Sequence, residues 1–307
     1  MKTVSISHGD VDGVVSAALV VRYTNNVAVR LSATSALPKV IRSAMYDIIM
    51  RGANTIIISD LNPSSNNIND IVDTLSQYVK AGVKVVWLDH HEWSNNAIEL
   101  VRDAGVELII DNECVAAEVV YSYLEKIVPE IRDDKLVHAL ISLAIDDDRF
   151  LNRNPLAIKW RRLLRWYNWE FRRKTVRAFA SGELWPHWAQ KAYEEIEREY
   201  DALIRKALEG MKIVEIRGYK VVVIPPISDK IHPGDLQLEL SRRGVDADLF
   251  VIMYSKGVSF RSNQINVADL AKSMGGGGHI YSAGAPLMHS DVELVVDSIR
   301  RYLSENL

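Results

Sequence analysis

Three short strand-like runs each end in residues that can do chemistry. Residues 4–7 run into His8, Asp10 and Asp12; residues 55–59 run into Asp60; residues 83–88 run into Asp89, His90 and His91. The third run is β-branched and apolar, as a strand buried on both faces should be. In an open α/β sheet the carboxyl ends of the strands line the ligand crevice. Carboxylates gathered at one rim repel one another, and burying them unpaired costs on the order of several kcal/mol each. A divalent cation removes that cost, and mixed carboxylate and imidazole ligands suit manganese, zinc or iron better than calcium. The competing reading is three unrelated loop openers, each with a solvated acid. A fourth group, Asp146-Asp147-Asp148, closes an apolar helix over residues 134–145. It reads either as a solvated turn or as the source of one further ligand.

The elements that must hold these groups alternate between strand and helix. Gly13 leads into a small, apolar helix, residues 14–20. Further strands are expected at 27–31 and 106–110, and a proline-opened helix at 38–49. Ile68, Ile71, Val72, Leu75 and Val79 keep helical spacing. Such alternation implies βαβ units around a mostly parallel sheet flanked by helices. A long helix from residue 186 to about 212 has no strand partner of its own and reads as a connector. The remainder predicts a smaller α/β domain, with strands at 213–216 and 221–224, a hairpin over 249–261, and helices at 236–242, 267–274 and 292–303. The expected division is therefore 1–185, 186–212 and 213–307.

Composition sets the broad class. The 307 residues suffice for two domains, and 48% hydrophobic with 25% charged residues is ordinary for a globular protein. A net charge of −3 argues against wholesale coating of nucleic acid. The single cysteine, Cys114, allows no intramolecular disulfide, which points to a reducing compartment. With no apolar stretch of membrane length and no leader pattern, the expectation is a cytoplasmic protein with no membrane partner.

Two stretches remain. Between residues 151 and 180, Trp160, Trp166, Tyr167 and Trp169 interleave with Arg161, Arg162, Arg165, Arg172, Arg173, Lys174 and Arg177. This is either a basic surface with stacking platforms for single-stranded nucleic acid or an amphipathic helix with tryptophans in the core. The run Gly275-Gly276-Gly277-Gly278-His279 suits backbone amides that approach an anion closely, although it lacks the lysine and hydroxyl residue that end a P-loop.

Taken in order, these motifs resemble those of DHH-family phosphoesterases with the DHH-associated C-terminal domain, the group that includes RecJ-type exonucleases and nanoRNases. The matching residues are His8-Gly9-Asp10-Val11-Asp12-Gly13, Asp60, Asp89-His90-His91, the acids at 146–148, Phe260-Arg261-Ser262, and Gly276-Gly277-Gly278-His279 with Ala283-Gly284. The resemblance implies two divalent ions, Mn²⁺ foremost with Mg²⁺ as the alternative, that turn water into a nucleophile toward phosphorus. It implies His8, Asp10 and Asp60 around one ion, and Asp12, Asp60, His90 and Asp146 around the other, with Asp60 as the bridge. Asp89 would orient an imidazole, and His91 would donate to a phosphate oxygen. Arg261, Gly276, Gly277, Gly278 and His279 would bind substrate across a cleft. The implied partner is short RNA, single-stranded DNA or a small nucleotide; the oligomeric state is left open, with a dimer as one candidate. Rival readings are a cyclic-dinucleotide or pAp phosphohydrolase, a pyrophosphatase, and a non-catalytic scaffold for replication or repair.

Overall fold

Five apolar segments form one sheet in the computed structural model, which describes residues 1–287 and 292–306, without the side chains of His279 and Asn306. They are β1 (Lys2–Ser7), β2 (Asn25–Leu31), β3 (Thr55–Ser59), β4 (Lys84–Asp89) and β5 (Glu107–Ile110). Their order is β2-β1-β3-β4-β5, and every neighbouring pair is parallel. Interior strands β1, β3 and β4 are buried almost throughout: β3 and β4 are near-continuous apolar runs, while β1 alternates Val4 and Ile6 with buried Thr3, Ser5 and Ser7. Edge strand β2 is mostly half-buried. The chain leaves β1 toward one side of the sheet and returns across it to β3. The strand order therefore reverses between β1 and β3, the position where a crevice opens in such sheets.

Helices cover both faces. α1 (Val11–Tyr23) is buried from Val11 to Val20. It packs on β1 and on α6 (Ala116–Glu125), α7 (Lys135–Asp148) and α9 (Trp169–Ser181), with α8 (Pro155–Trp166) alongside. Gly13, Ser16, Ala17 and Ala18 are small because so many neighbours crowd this helix. On the other face, α2 (Leu37–Ser43), α4 (Ile68–Lys80) and α5 (Asn95–Asp103) bury Ile41, Ile71, Leu75 and Val101 against Val4, Ile6, Ile56, Ile58, Val85 and Trp87. The helix expected over 38–49 is two helices, α2 and α3 (Met45–Arg51), which meet at Ala44. There Ser43 Oγ donates to the Val40 carbonyl at 2.7 Å and the Ala44 amide bonds Ile41 in a tighter turn. A serine that bonds its own backbone competes with a continuing helix.

The contacts divide the chain into Met1–Gln190 and Lys191–Leu307, so the boundary lies within the first turn of α10 (His187–Glu209). The second unit holds a six-stranded mixed sheet in the order β10-β11-β9-β8-β7-β6. Its strands are β6 (Lys212–Ile216), β7 (Tyr219–Ile227), β8 (Leu249–Tyr254), β9 (Gly257–Arg261), β10 (Gly277–His279) and β11 (Ser282–Pro286), with helices α11 (Pro233–Arg242), α12 (Val267–Ser273) and α13 (Val292–Asn306). Only β7 and β8 run parallel. The glycine run is not a free loop: it ends α12 and becomes the edge strand β10. A Cβ on Gly276 would stand 2.5 Å from Ala285 Cα, and one on Gly278 2.6 Å from Ala283 Cα. Close approach to β11 thus explains both glycines. No helix among the described residues is long and apolar enough to cross a membrane.

Candidate metal centre

The loop after β1 reaches α1 within three residues. Ser7 Oγ donates to the Gly13 carbonyl at 2.7 Å, and Ser59 Oγ donates to Ser7 Oγ at 2.9 Å, which ties the ends of β1 and β3 together. Asp10 caps α1, its Oδ1 accepting the Gly13 amide at 3.0 Å, while its Oδ2 lies 2.8 Å from His8 Nδ1. Asp60 ends β3 with φ +56°, a left-handed conformation that a short polar side chain tolerates better than most. Its carboxylate is buried between two imidazoles. Oδ2 is 3.8 Å from His8 Nδ1, and Oδ1 is 3.5 Å from His90 Nε2. His90 Nε2 also lies 3.8 Å from Asp12 Oδ2. These separations are too long for hydrogen bonds, but donors sharing an ion at roughly 2.1 Å each stand about 3–4 Å apart.

Three groups of donors result: His8, Asp10 and Asp60; Asp60, His90 and His91; and Asp12, His90 and Asp148. Asp60 Oδ2 is buried without a hydrogen-bond partner among the described residues. Burial, together with the charges of Asp10, Asp12 and Asp89, pushes the Asp60 pKa well above the usual carboxylate range. Burial and the charges of Asp148 and Asp10 do the same to Asp12. An orphaned buried oxygen and crowded acids of raised pKa are what a cation would relieve, so the residues present fit a metal.

Two acids at the end of α7 can supply the fourth ligand. The resemblance gives the ligand role to Asp146, yet the structure brings Asp148 to Asp12 and His90. Asp146 Oδ2 accepts the Arg153 and Asn154 amides at 2.9 and 3.0 Å, fastening the turn before α8, while its buried Oδ1, like Asp60 Oδ2, has no hydrogen-bond partner among the described residues. Asp147 is ion-paired with buried Arg161, and burial nevertheless raises its pKa to about 7. One residue of helix turns a side chain by about 100°, so acids two apart face nearly opposite ways.

Asp89 lies beside the donors. Its Oδ1 is 2.9 Å from His91 Nδ1 and its Oδ2 accepts Trp93 Nε1–H at 2.6 Å. Burial alone would lower the His91 pKa, but the Asp89 hydrogen bond and charge outweigh it and lift it to about 9. Asn112 was not singled out by sequence; its Nδ2 donates to the His90 and His91 carbonyls at 2.8 and 2.7 Å. Its only signal was its place just past the end of β5.

The second unit holds Arg261 and the glycine run. Arg261 is buried, its Nη1 donating to the Phe260 carbonyl and to Ser282 Oγ, so it ties β9 to β11. Gly277 has nothing within 4 Å of a Cβ position. The expectation for the His279 imidazole falls on a side chain outside the described residues. In the basic-aromatic stretch, Trp160 is fully buried and stacks edge-on with Phe179, Trp185 and Trp188, a core role.

Residues 2–145 match the model of the DHH family, N-terminal domain. No curated protein sequence matches the chain. Among solved structures the fold is similar to that of the exonuclease RecJ bound to manganese, at 14% identity and TM-score 0.61, over 100% of this chain and 91% of that one. It is also similar to RecJ from Thermus thermophilus in complex with Mn²⁺, at 14% identity and TM-score 0.66, over 100% of this chain and 52% of that one. A third similar structure is the pGpG-specific phosphodiesterase PggH from Vibrio cholerae, at 14% identity and TM-score 0.56, over 100% of this chain and 99% of that one.

Proposed function

Residues 2–145 match the N-terminal domain of the DHH family, and from that premise we propose that the chain is a DHH phosphoesterase that hydrolyses phosphodiester bonds in short oligonucleotides or single-stranded nucleic acid. The observation that carries this reading is Asp60, whose two oxygens each face a different imidazole. Such a carboxylate is placed to serve two cations at once. Bound there, a pair of divalent ions, Mn²⁺ or alternatively Mg²⁺, would neutralise the acids and supply an activated water for in-line attack at phosphorus.

The chain's own residues divide the remaining work. His8, Asp10 and Asp60 form one donor group; Asp60 and His90 join Asp12 and Asp148 in the other. Asp12 is fixed by the Ala116 and Ala117 amides, one on each oxygen, which leaves lone pairs on both for a cation. Asp89 keeps His91 protonated and oriented, so that His91 can donate a charge-assisted hydrogen bond to a non-bridging phosphate oxygen. In the second unit, the open space at Gly277 suits an anion approaching backbone amides, with Arg261 holding the neighbouring strand in place.

A dinucleotide is one candidate for the shortest substrate, by analogy with the pGpG-specific phosphodiesterase of similar fold. End-labelled RNA and DNA of graded length, incubated with Mn²⁺, test the proposal. Ladders on long strands would indicate an exonuclease, and loss of only dimers to pentamers a nanoRNase. Turnover of cyclic dinucleotide or pAp alone would narrow the substrate to those. No turnover with any metal would leave a binding scaffold.

A further inference from the structure

Two side chains from the start of α9 lie on the loop that carries His8 and Asp10. A Cβ on Gly9 would stand 2.5 Å from Trp169 Cζ3 and 2.9 Å from Arg172 Cδ, so the glycine of this loop is fitted to that pair. Arg172 donates its Nε–H to the Gly9 carbonyl at 2.8 Å, and its guanidinium lies 4.6 Å from the centroid of the Trp169 ring. Anchored by one nitrogen and by stacking, Arg172 keeps both terminal amino groups without a hydrogen-bond partner among the described residues. Trp169 is 39% exposed, while the buried residues of α9 (Thr175, Val176, Ala178 and Phe179) lie further along the helix. The indole thus packs on the Gly9 loop with one edge and stays open to solvent over the rest.

Charge sharpens the point. A guanidinium held against a loop that binds dications is repelled by them at short range. A phosphate placed between the two attracts both. Arginine suits that role, because two parallel N–H bonds match two oxygens of one phosphate. An exposed indole beside it offers what every nucleobase can use, a flat apolar face.

We propose that Trp169 and Arg172 form a nucleotide subsite at the rim, with a base stacked on the indole and the adjoining phosphate held by the guanidinium. The subsite rests on the phosphodiesterase reading of the centre and deepens it. The substrate class becomes a phosphodiester that carries a base, rather than pyrophosphate or polyphosphate.

The test uses the full chain and two readouts. The first is binding of the 5′-phosphorylated dinucleotide pApA in EDTA, measured by calorimetry. The second is the rise in melting temperature on adding Mn²⁺, which reports an intact centre. Trp169→Leu fills the space without a stacking face and should weaken pApA binding about 5- to 100-fold, whereas Trp169→Phe should retain most of it. Arg172→Lys, which keeps charge but loses the fork, should weaken binding about tenfold. All three should show the wild-type response to Mn²⁺. Binding by Trp169→Leu within twofold of wild type would overturn the subsite, as would wild-type protein that does not bind pApA. If Trp169-dependent binding holds but wild type with Mn²⁺ hydrolyses no phosphodiester, the subsite stands and the catalytic reading falls.

Discussion

Asp12 accepts the Ala116 backbone amide at 2.7 Å across 104 positions of sequence, and its other oxygen takes the Ala117 amide at 2.8 Å. One acid of the candidate centre therefore also closes the N-terminus of α6, where a negative charge is favoured. Asp12→Ala should lose hydrolysis and also destabilise the metal-free protein, by about 1–3 kcal/mol for two unmet buried donors. Urea unfolding in EDTA measures the second effect.

Asp60 should behave in the opposite way. Its carboxylate is buried with one oxygen unpartnered, so Asp60→Ala relieves crowding and should leave metal-free stability unchanged or higher. The same variant should lose nearly all hydrolysis and the stabilisation by Mn²⁺. Residual activity above about a tenth of wild type would remove the bridging role.

The two acids at the end of α7 can be told apart. Asp148→Asn should abolish Mn²⁺-dependent stabilisation and turnover, because Asp148 stands with Asp12 and His90. Asp146→Asn should retain turnover and cost about 1–2 kcal/mol of stability, through weakened acceptance of the Arg153 and Asn154 amides. The reverse result would restore Asp146 as the ligand.

Asp12, Asp60 and Asp147 have folded pKa values raised above the ordinary 3.8 by burial first and neighbouring acids second, with Asp147 reaching about 7 against the opposing pull of Arg161. A folded pKa above the unfolded one means stability that is complete below pH ~4 and is lost as pH rises through the folded values. In EDTA the melting temperature should therefore fall between about pH 4 and pH 7. With Mn²⁺ the sign should invert, because metal binding displaces those protons and tightens as pH rises. Paired thermal scans across that window check both slopes.

His91, lifted to about 9 by Asp89 against the downward pull of burial, should be protonated through neutral pH. Turnover that depends on its hydrogen bond should decline at alkaline pH, as His91 loses its proton. Asp89→Asn removes the supporting charge and should move that decline to lower pH. A pH–rate profile that does not shift would separate His91 from substrate.

The sheet and its rim were legible because buried parallel strands leave a recognisable pattern: β3 and β4 are short apolar runs, β1 alternates apolar with small hydroxyl residues, and the polar residue that ends each one marks the rim. The fourth acid was not legible. Three consecutive acids look alike in sequence, and which of them meets Asp12 depends on the phase of α7, which is set by packing against α1 and α8. The glycine run was legible only in part, for a related reason. Its absent side chains answer to β11 and appear as strand contacts only once β10 and β11 are paired. Trp160 and Trp169 carry the same residue type in one basic stretch, yet one is core and the other exposed. Local composition cannot separate them, because the difference lies in which face of each helix meets its neighbours: Trp160 packs against Phe179, Trp185 and Trp188, while Trp169 stands at the start of α9.

The sheet order has a bearing on biosynthesis. β1 is flanked on one side by β2 and on the other by β3, both of which follow it in the chain. A nascent polypeptide thus cannot complete the ladder around β1 until residue 59 has cleared the ribosome. Until then, a strand that ends up buried has at least one bare edge open to pairing with other chains.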